Sequence, residues 1–316
     1  MLVTADPLLW EDLLRRPLAQ RRGAAPRELV AFIGRHNEAT GKPVTARAAR
    51  FAPGPDASLH ADLDAAIAGL PAAVLRHLDP CLLGVFVMDG TGASAVSCVV
   101  ADPQGELIGA AVAVDAAVFA DVTANAWFER RENMPFEAAA GLRLEARIAE
   151  PAHDNRIAAL QFVLLHEFGH VLAACKALAP MWWRAAGGSP SYPLLDLCWQ
   201  AAPNGRFAPR AGHDFPQRGR LVYYGVPRLS LFDAEAAYAA LGRTGFATLY
   251  AATSVHEDIA DSFAGYVHVH LMGRPLEHRL LRADTAVLLG APYRQSPAGA
   301  ARAALFEAML AAPVEG

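Results

Sequence analysis

The segment from Leu160 to Leu178, Leu-Gln-Phe-Val-Leu-Leu-His-Glu-Phe-Gly-His-Val-Leu-Ala-Ala-Cys-Lys-Ala-Leu, sets His166, Glu167 and His170 inside an apolar run. In a helix, residues four apart lie one above the other on a single face. His166 and His170 then share a face, and two imidazoles so placed can grip one metal ion while Glu167 leans toward a water on it. A chain built around such a helix has to bring it a third ligand, a group that orients the histidines and a groove for whatever is acted upon.

The remaining sequence limits how that can be done. A chain of 316 residues with 53% hydrophobic content buries a substantial core. No uninterrupted apolar run reaches the ~18 residues of a membrane span. The best candidate, Leu107 to Val122, is broken by Asp115 and Asp121. The N-terminus turns acidic at Asp6 without a basic and then apolar leader, so no signal peptide is expected and the cytoplasm is the expected location. Cys81, Cys98, Cys175 and Cys198 are widely separated and form no C-x-x-C pair, which favours free thiols over a cysteine-based zinc site. A net charge of −4, with no basic cluster beyond Arg15-Arg16 and Arg21-Arg22, argues against nucleic acid as a partner. Arginine carries nearly all the positive charge beside only Lys42 and Lys176, as in a GC-rich bacterial genome.

Residues 1–79 read as a helical segment. Leu8, Leu9, Leu13 and Leu14 recur at helical spacing, Pro26 opens a second helix, and a third is expected from an N-cap at Ser58 to His77, after a loop at 51–56. None of His36, His60 and His77 has a partner at ligand spacing. From residue 80 the period changes. Runs at 83–88, 95–101 and 107–114, bounded by Gly, Asp and Pro, suggest an antiparallel meander, and 142–148 alternates as a half-exposed strand. The stretch 123–136 mixes aromatic and charged residues and reads either as a short helix or as a loop near a cleft. Asp154 is the expected N-cap of the central helix, which should run from Asn155 to Ala179 and stop before Pro180. Residues 180–253 are loop-rich (Gly187 to Pro190, Pro203 to Gly205), with a strand-like Leu221 to Tyr224 and a helical 233–241. Residues 254–316 should hold a helix from Ser254 to Met272, opened by Ser254 and Glu257 at capping-box spacing, and a closing helix from Pro297 to Ala311. The expected whole is an α+β domain over 80–316, a small, mainly antiparallel sheet packed on the histidine helix, with extra helices before it.

Two histidines leave zinc under-coordinated, so a third protein ligand is needed, with water in the open position. Glu257 is the best donor. It opens Glu257-Asp-Ile-Ala-Asp261, in which the glutamate and the aspartate share a helical face. Asp261 would accept a hydrogen bond from the outer N–H of a ligand histidine and fix its tautomer. Asp258 competes with Glu257, but has no helical partner so well placed. His256, His268 and His270 read as exposed helix residues.

His166-Glu-Phe-Gly-His170 followed by a helical glutamate resembles the gluzincin class of zinc metallopeptidases. The segment Tyr250-Ala-Ala-Thr-Ser-Val-His-Glu257 is similar to the branch containing the Mlc titration factor and anthrax lethal factor, in which a tyrosine lies seven positions before the ligand glutamate. The resemblance covers the two helices and Tyr250. It implies a zincin-like fold, one Zn2+ on His166, His170 and Glu257, Glu167 as general base and Tyr250 as oxyanion stabiliser. Tyr223, Tyr224 and His213 are rivals for the tyrosine's role.

On that reading the protein hydrolyses peptide bonds in a peptide or protein substrate, through a zinc-activated water and Glu167. An edge strand would hold the substrate extended, with 107–115 the first candidate. The alternative is a zinc-binding regulatory protein with little hydrolytic activity, whose 181–253 region is a surface for a protein partner. A third reading is amide hydrolysis of a non-peptide substrate. Neither nucleic acid nor membrane is an expected partner.

Overall fold

A computed structural model describes residues 1–41, 47–48, 55–180, 191–202, 206–282, 285–289 and 297–314. The expected loops at 51–54, 187–190 and 203–205 lie outside the described residues. In chain order the elements begin with β1 (Leu2–Val3), α1 (Pro7–Arg15), β2 (Arg22–Ala24), α2 (Arg27–Ala39), β3 (Arg47–Ala48), α3 (Pro55–Ala68) and α4 (Ala72–Leu78). There follow β4 (Leu82–Asp89), β5 (Ala95–Ala101), β6 (Leu107–Asp115), α5 (Ala124–Asn133), β7 (Phe136–Glu137), β8 (Leu142–Arg147) and α6 (Arg156–Cys175). The remainder is α7 (Pro193–Asp196), β9 (Trp199–Ala201), β10 (Phe207–Pro209), β11 (Leu229–Ser230), α8 (Ala234–Leu241), α9 (Val255–Tyr266), β12 (Glu277–Arg282), β13 (Thr285–Leu288) and α10 (Pro297–Ala311).

The architecture is mixed α and β around a small sheet of strand order β1-β5-β6-β4-β2, with β3 against β4. The expected antiparallel meander is corrected. β5 and β6 are antiparallel, whereas β4 pairs parallel with both β6 and β2, and β1 pairs parallel with β5. The sheet is therefore mixed, with β6 between β4 and β5. The cause lies in the strand composition. β4 and β6 are almost continuously apolar rather than alternating, as suits strands covered on both faces. One face, with Val85, Val87, Val112 and Val114, joins the core under α3 to α6. The other, with Phe86, Met88, Ala111 and Ala113, packs on Trp10, Leu13, Leu29 and Ile33 of α1 and α2.

The N-terminal segment accordingly is not only helical: β1 and β2 belong to the same sheet as β4. Arg21, 3% exposed, ties it down by donating to the carbonyls of Leu14, Arg16 and Leu82, each at 2.8 Å, and to Asp79. The single helix expected over 58–77 is two, α3 and α4, bent by 104° where Pro71 removes a donor. Residues 142–148 do form a half-exposed strand, but β8 pairs with β12 in a second sheet, β13-β12-β8, whose β12 and β13 the sequence pattern does not reveal. Leu221 to Tyr224 is not a strand.

As the central strand of the main sheet, 107–115 has no free edge for a substrate; this expectation is overturned. The edge beside the histidine helix is β5. Among the described residues its outer side is paired only at Val100 and Ala101, by β1, so 95–99 are open. Asp115 closes the loop before β5, accepting from Thr91 N at 2.7 Å and Ala117 N at 3.0 Å.

α6 is apolar and long enough to cross a membrane by length and composition, but it is the core helix of this domain. Its N-cap is Asn155, which accepts from Ala158 N at 3.0 Å; Asp154, the expected cap, instead holds Asn125 N at 2.8 Å. The helix ends at Cys175, short of Ala179, where Ala177 takes a positive φ of 49°. α9 crosses it at Gly169. A Cβ there would lie 2.7 Å from Ala260 Cα, so only glycine lets the two backbones meet this closely. α9 runs on into a π turn, Val267–Leu271, where His268 is fully buried rather than exposed as expected. Its Nε2–H donates to Ile148 O at 2.8 Å and Pro275 O at 3.0 Å.

Two outcomes are expected. Gly169→Ala should cost about 1–3 kcal/mol through overpacking at the crossing, read from urea unfolding; an unchanged midpoint would refute the close approach. Burial pushes His268 down from 6.5 to about 4. The unfolded chain therefore binds the extra proton first. The neutral histidine's contribution is whole above pH 6.5 and is lost as pH falls toward 4, by roughly 3 kcal/mol. Unfolding across that window should be less pH-dependent in His268→Gln.

Candidate metal centre

α6 presents His166 and His170 one turn apart, their rings 4.9 Å between centroids and nearly perpendicular. α9 presents Glu257 in its first turn, because Ser254 caps the helix by accepting from Glu257 N at 3.2 Å. Glu257 Oε2 lies 3.1 Å from His166 Nε2 and 3.5 Å from His170 Nε2, and one donor atom from each of the three residues falls within 4.8 Å of the others. Donor atoms ~2.1 Å from an ion in a tetrahedron lie ~3.4 Å apart, so these separations suit a shared ion. Among the described residues Glu257 Oε2 is also buried without a hydrogen-bond partner, close to an imidazole nitrogen but not aligned with it. Such a carboxylate oxygen is costly unless something cationic meets it. His166, His170 and Glu257 can hold a metal ion.

The electrostatics agree with the geometry. Burial alone would pull His166 down, yet the hydrogen bond to Asp261 and the Glu257 carboxylate outweigh it and push the imidazole up to about 10. Burial would likewise raise Glu257, but His170 and His166 bring it well below the usual carboxylate range. The space between the two helices therefore calls for positive charge. A metal ion can meet that demand in place of a proton.

Asp261 meets His166 from the side away from Glu257. Its Oδ1 accepts from His166 Nδ1 at 2.8 Å, which leaves Nε2 facing Glu257. Arg131 of α5 grips the same carboxylate with two bonds, at 2.9 and 3.0 Å, and Thr248 Oγ1 donates to Oδ2. Although burial opposes ionisation, Arg131 and His166 hold Asp261 far below its ordinary value. Neither Arg131 nor Thr248 was expected from the sequence. For Arg131 a signal existed: it lies four residues after Trp127 in the aromatic and charged stretch, and helical spacing puts both on one face.

Asp258, the competing ligand, turns the other way. It accepts from Trp199 Nε1 at 2.8 Å and Ser262 Oγ at 3.2 Å, and it pairs with buried Arg302 of α10. Tyr250 stands at the site, its ring stacked on His166 at 5.6 Å and Arg131 5.3 Å from its centroid. Burial, with Glu257 nearby, raises its hydroxyl well above the ordinary value, so it stays a donor at neutral pH. Among its rivals, Tyr224 also lines the cavity, whereas Tyr223 keeps its hydroxyl buried with no partner among the described residues, and His213 Nδ1 accepts from Gly245 N at 3.1 Å, away from the site.

Glu167, 6% exposed, faces a cavity of about 240 Å³ with both histidines, Glu257, Tyr250 and residues 94–97 of the β5 strand and its approach. Larger recesses adjoin it at both ends: about 860 Å³ by Trp127 and Arg130, and about 390 Å³ by Ala173, Ala174 and His256. The arrangement is a trough along the β5 edge, with His166, His170 and Glu257 in its middle.

Comparison with protein-family models, curated proteins and solved structures returns no match.

Asp261→Asn should weaken metal-ion binding at the three residues about 10- to 100-fold, as losses of a ligand's hydrogen-bond partner do, whereas Asp258→Asn should lower thermal stability and leave metal affinity in place. Competition with a chromogenic chelator reads both. Equal metal affinity in Asp261→Asn and wild type would remove Asp261 from the site.

Proposed function

We propose that this chain is a zinc-dependent peptidase of the gluzincin kind, with a zincin-like arrangement of sheet edge and crossed helices. The observation that carries the reading is the meeting of Glu257 Oε2 with both imidazoles in one cavity with Glu167, under the open edge of β5. Two histidines and one glutamate are a donor set suited to zinc with an open position. When bound, the ion supplies Lewis acidity, lowering the pKa of a water from 15.7 toward ~7 and polarising a carbonyl.

The chain's own groups do the rest. The open N–H and C=O groups of residues 95–99 can add an extended peptide as a further strand and lay its backbone across the cavity. The Glu167 carboxylate takes a proton from the attacking water and returns it to the leaving nitrogen. Tyr250 donates its hydroxyl to the carbonyl oxygen as negative charge develops there. Asp261, kept ionised by Arg131, holds the His166 ring in one orientation throughout.

Protein prepared with zinc should hold one ion per chain by mass spectrometry and cleave an unstructured protein such as casein. Glu167→Gln should keep the zinc and lose on the order of 10²- to 10⁴-fold in kcat. Chelation should abolish cleavage, and one equivalent of zinc should restore it. Cleavage indifferent to Glu167→Gln would refute the mechanism; bound zinc without cleavage would favour the regulatory alternative.

A further inference from the structure

Tyr224 is the part of this site that the proposed mechanism leaves unused. It lies on the strap Leu221 to Pro227, between a 3-10 turn at Arg218–Arg220 and β11. Its backbone has φ of 58°, and among the described residues only Ala177 is another non-glycine with positive φ. A bulky residue in the left-handed region is strained, because its Cβ crowds the following carbonyl oxygen. Such strain persists where surrounding structure imposes it, most often beside functional groups. Gly225 follows directly, so a chain selected only for an easy turn had a glycine one position away.

The strained residue lines the trough. Its side chain lines both the central cavity and the 860 Å³ recess. Its ring meets that of Tyr250 edge-on, 6.5 Å between centroids at 72°. The residue as a whole is 40% exposed, yet its hydroxyl lies among protein groups: burial, with Glu167 and Glu257 adding to it against Arg131, pushes it up to about 12. The hydroxyl thus keeps its proton near neutrality. The neighbouring Tyr223 makes the contrast: its hydroxyl is sealed off and does not reach the cavity.

We propose that Tyr224 is a second catalytic hydroxyl, held over the ligand set by the strained strap, which donates with Tyr250 to the same developing oxyanion. The inference rests on the peptidase reading and names a further residue within it. The tyrosine keeps its proton through the reaction; it donates a hydrogen bond and transfers nothing. Two donors aimed at one position stabilise the transition state more than the substrate, because the carbonyl oxygen becomes a strong acceptor only as charge develops.

The test compares Tyr224→Phe, Tyr250→Phe, the double variant and Tyr223→Phe on one unstructured peptide, with Glu167→Gln alongside. Tyr224→Phe keeps the ring and loses only the hydroxyl. It should lower kcat about 100-fold with KM within about twofold of wild type and zinc content unchanged. The double variant should lose much less than the product of the single losses, as groups acting as a unit do. Tyr223→Phe should retain wild-type kcat. A second pair reads the strain: Tyr224→Gly should melt about 2 °C above Tyr224→Ala, both being slow. Tyr224→Phe as fast as wild type, or a loss confined to KM, overturns this inference alone. Equal melting of the Gly and Ala variants overturns the strained strap. A wild type without Glu167-dependent cleavage overturns the inference together with the proposed function.

Discussion

The buried charge between α6 and α9 is the constraint that the rest of the molecule serves. Glu257, Asp261, Glu167 and Glu132 lie within a few side chains of one another, and Arg131 is the buried guanidinium among them. Isolated carboxylates in such surroundings would be prohibitively costly. Asp261 is answered by Arg131, Thr248 and His166, and Glu132 by Arg131, Tyr238 and His278. Glu257 Oε2 is left without an aligned donor, directly opposite two imidazole nitrogens. Among the described residues, the carboxylate oxygen left without an aligned donor thus lies in the one group of side chains that could hold a metal ion.

Holding this arrangement requires elements far apart in sequence. Gly169 lets α9 approach α6 closely enough for Glu257 to reach both histidines. Asn125 places α5, accepting from Ile148 N and Ala149 N at 2.8 and 2.9 Å and so bringing Arg131 under Asp261. On its far side α9 is pinned by the Asp258–Arg302 pair; Ser262 bonds both members and Trp199 Nε1 donates to Asp258. Adjacent residues in the sequence, Glu257 and Asp258, therefore face opposite ways, one toward the two histidines and one toward the C-terminal helix. A helix turns 100° per residue, and that rotation separates the roles.

The shape of the trough follows from the sheet. β6 occupies the centre, which leaves β5 as the edge over the histidine helix, and the Asp115-capped loop forms the wall at one end. An open strand edge is an aggregation hazard that proteins usually cover. Here it runs alongside the one group of three metal-capable side chains found among the described residues, and both belong to one recess.

Much of the site is legible in the sequence, because it is written in helical spacing. His166, Glu167 and His170, and likewise Glu257 and Asp261, are local patterns, and a 3.6-residue period converts them into faces without reference to the rest of the chain. The same holds for the helix at 297–311 and the capping role of Ser254. Strand pairing is different in kind. The runs at 83–88, 95–101 and 107–114 are visible as strands, but which lies between the others depends on hydrogen bonds between distant segments, so the meander was wrong and the edge strand misassigned. Arg131 lies 130 residues from Asp261, and the closeness of Gly169 to Ala260 exists only once two helices have packed. Spacing along a helix is a property of one segment; the order of a sheet and the partner of a buried charge are properties of the closed fold.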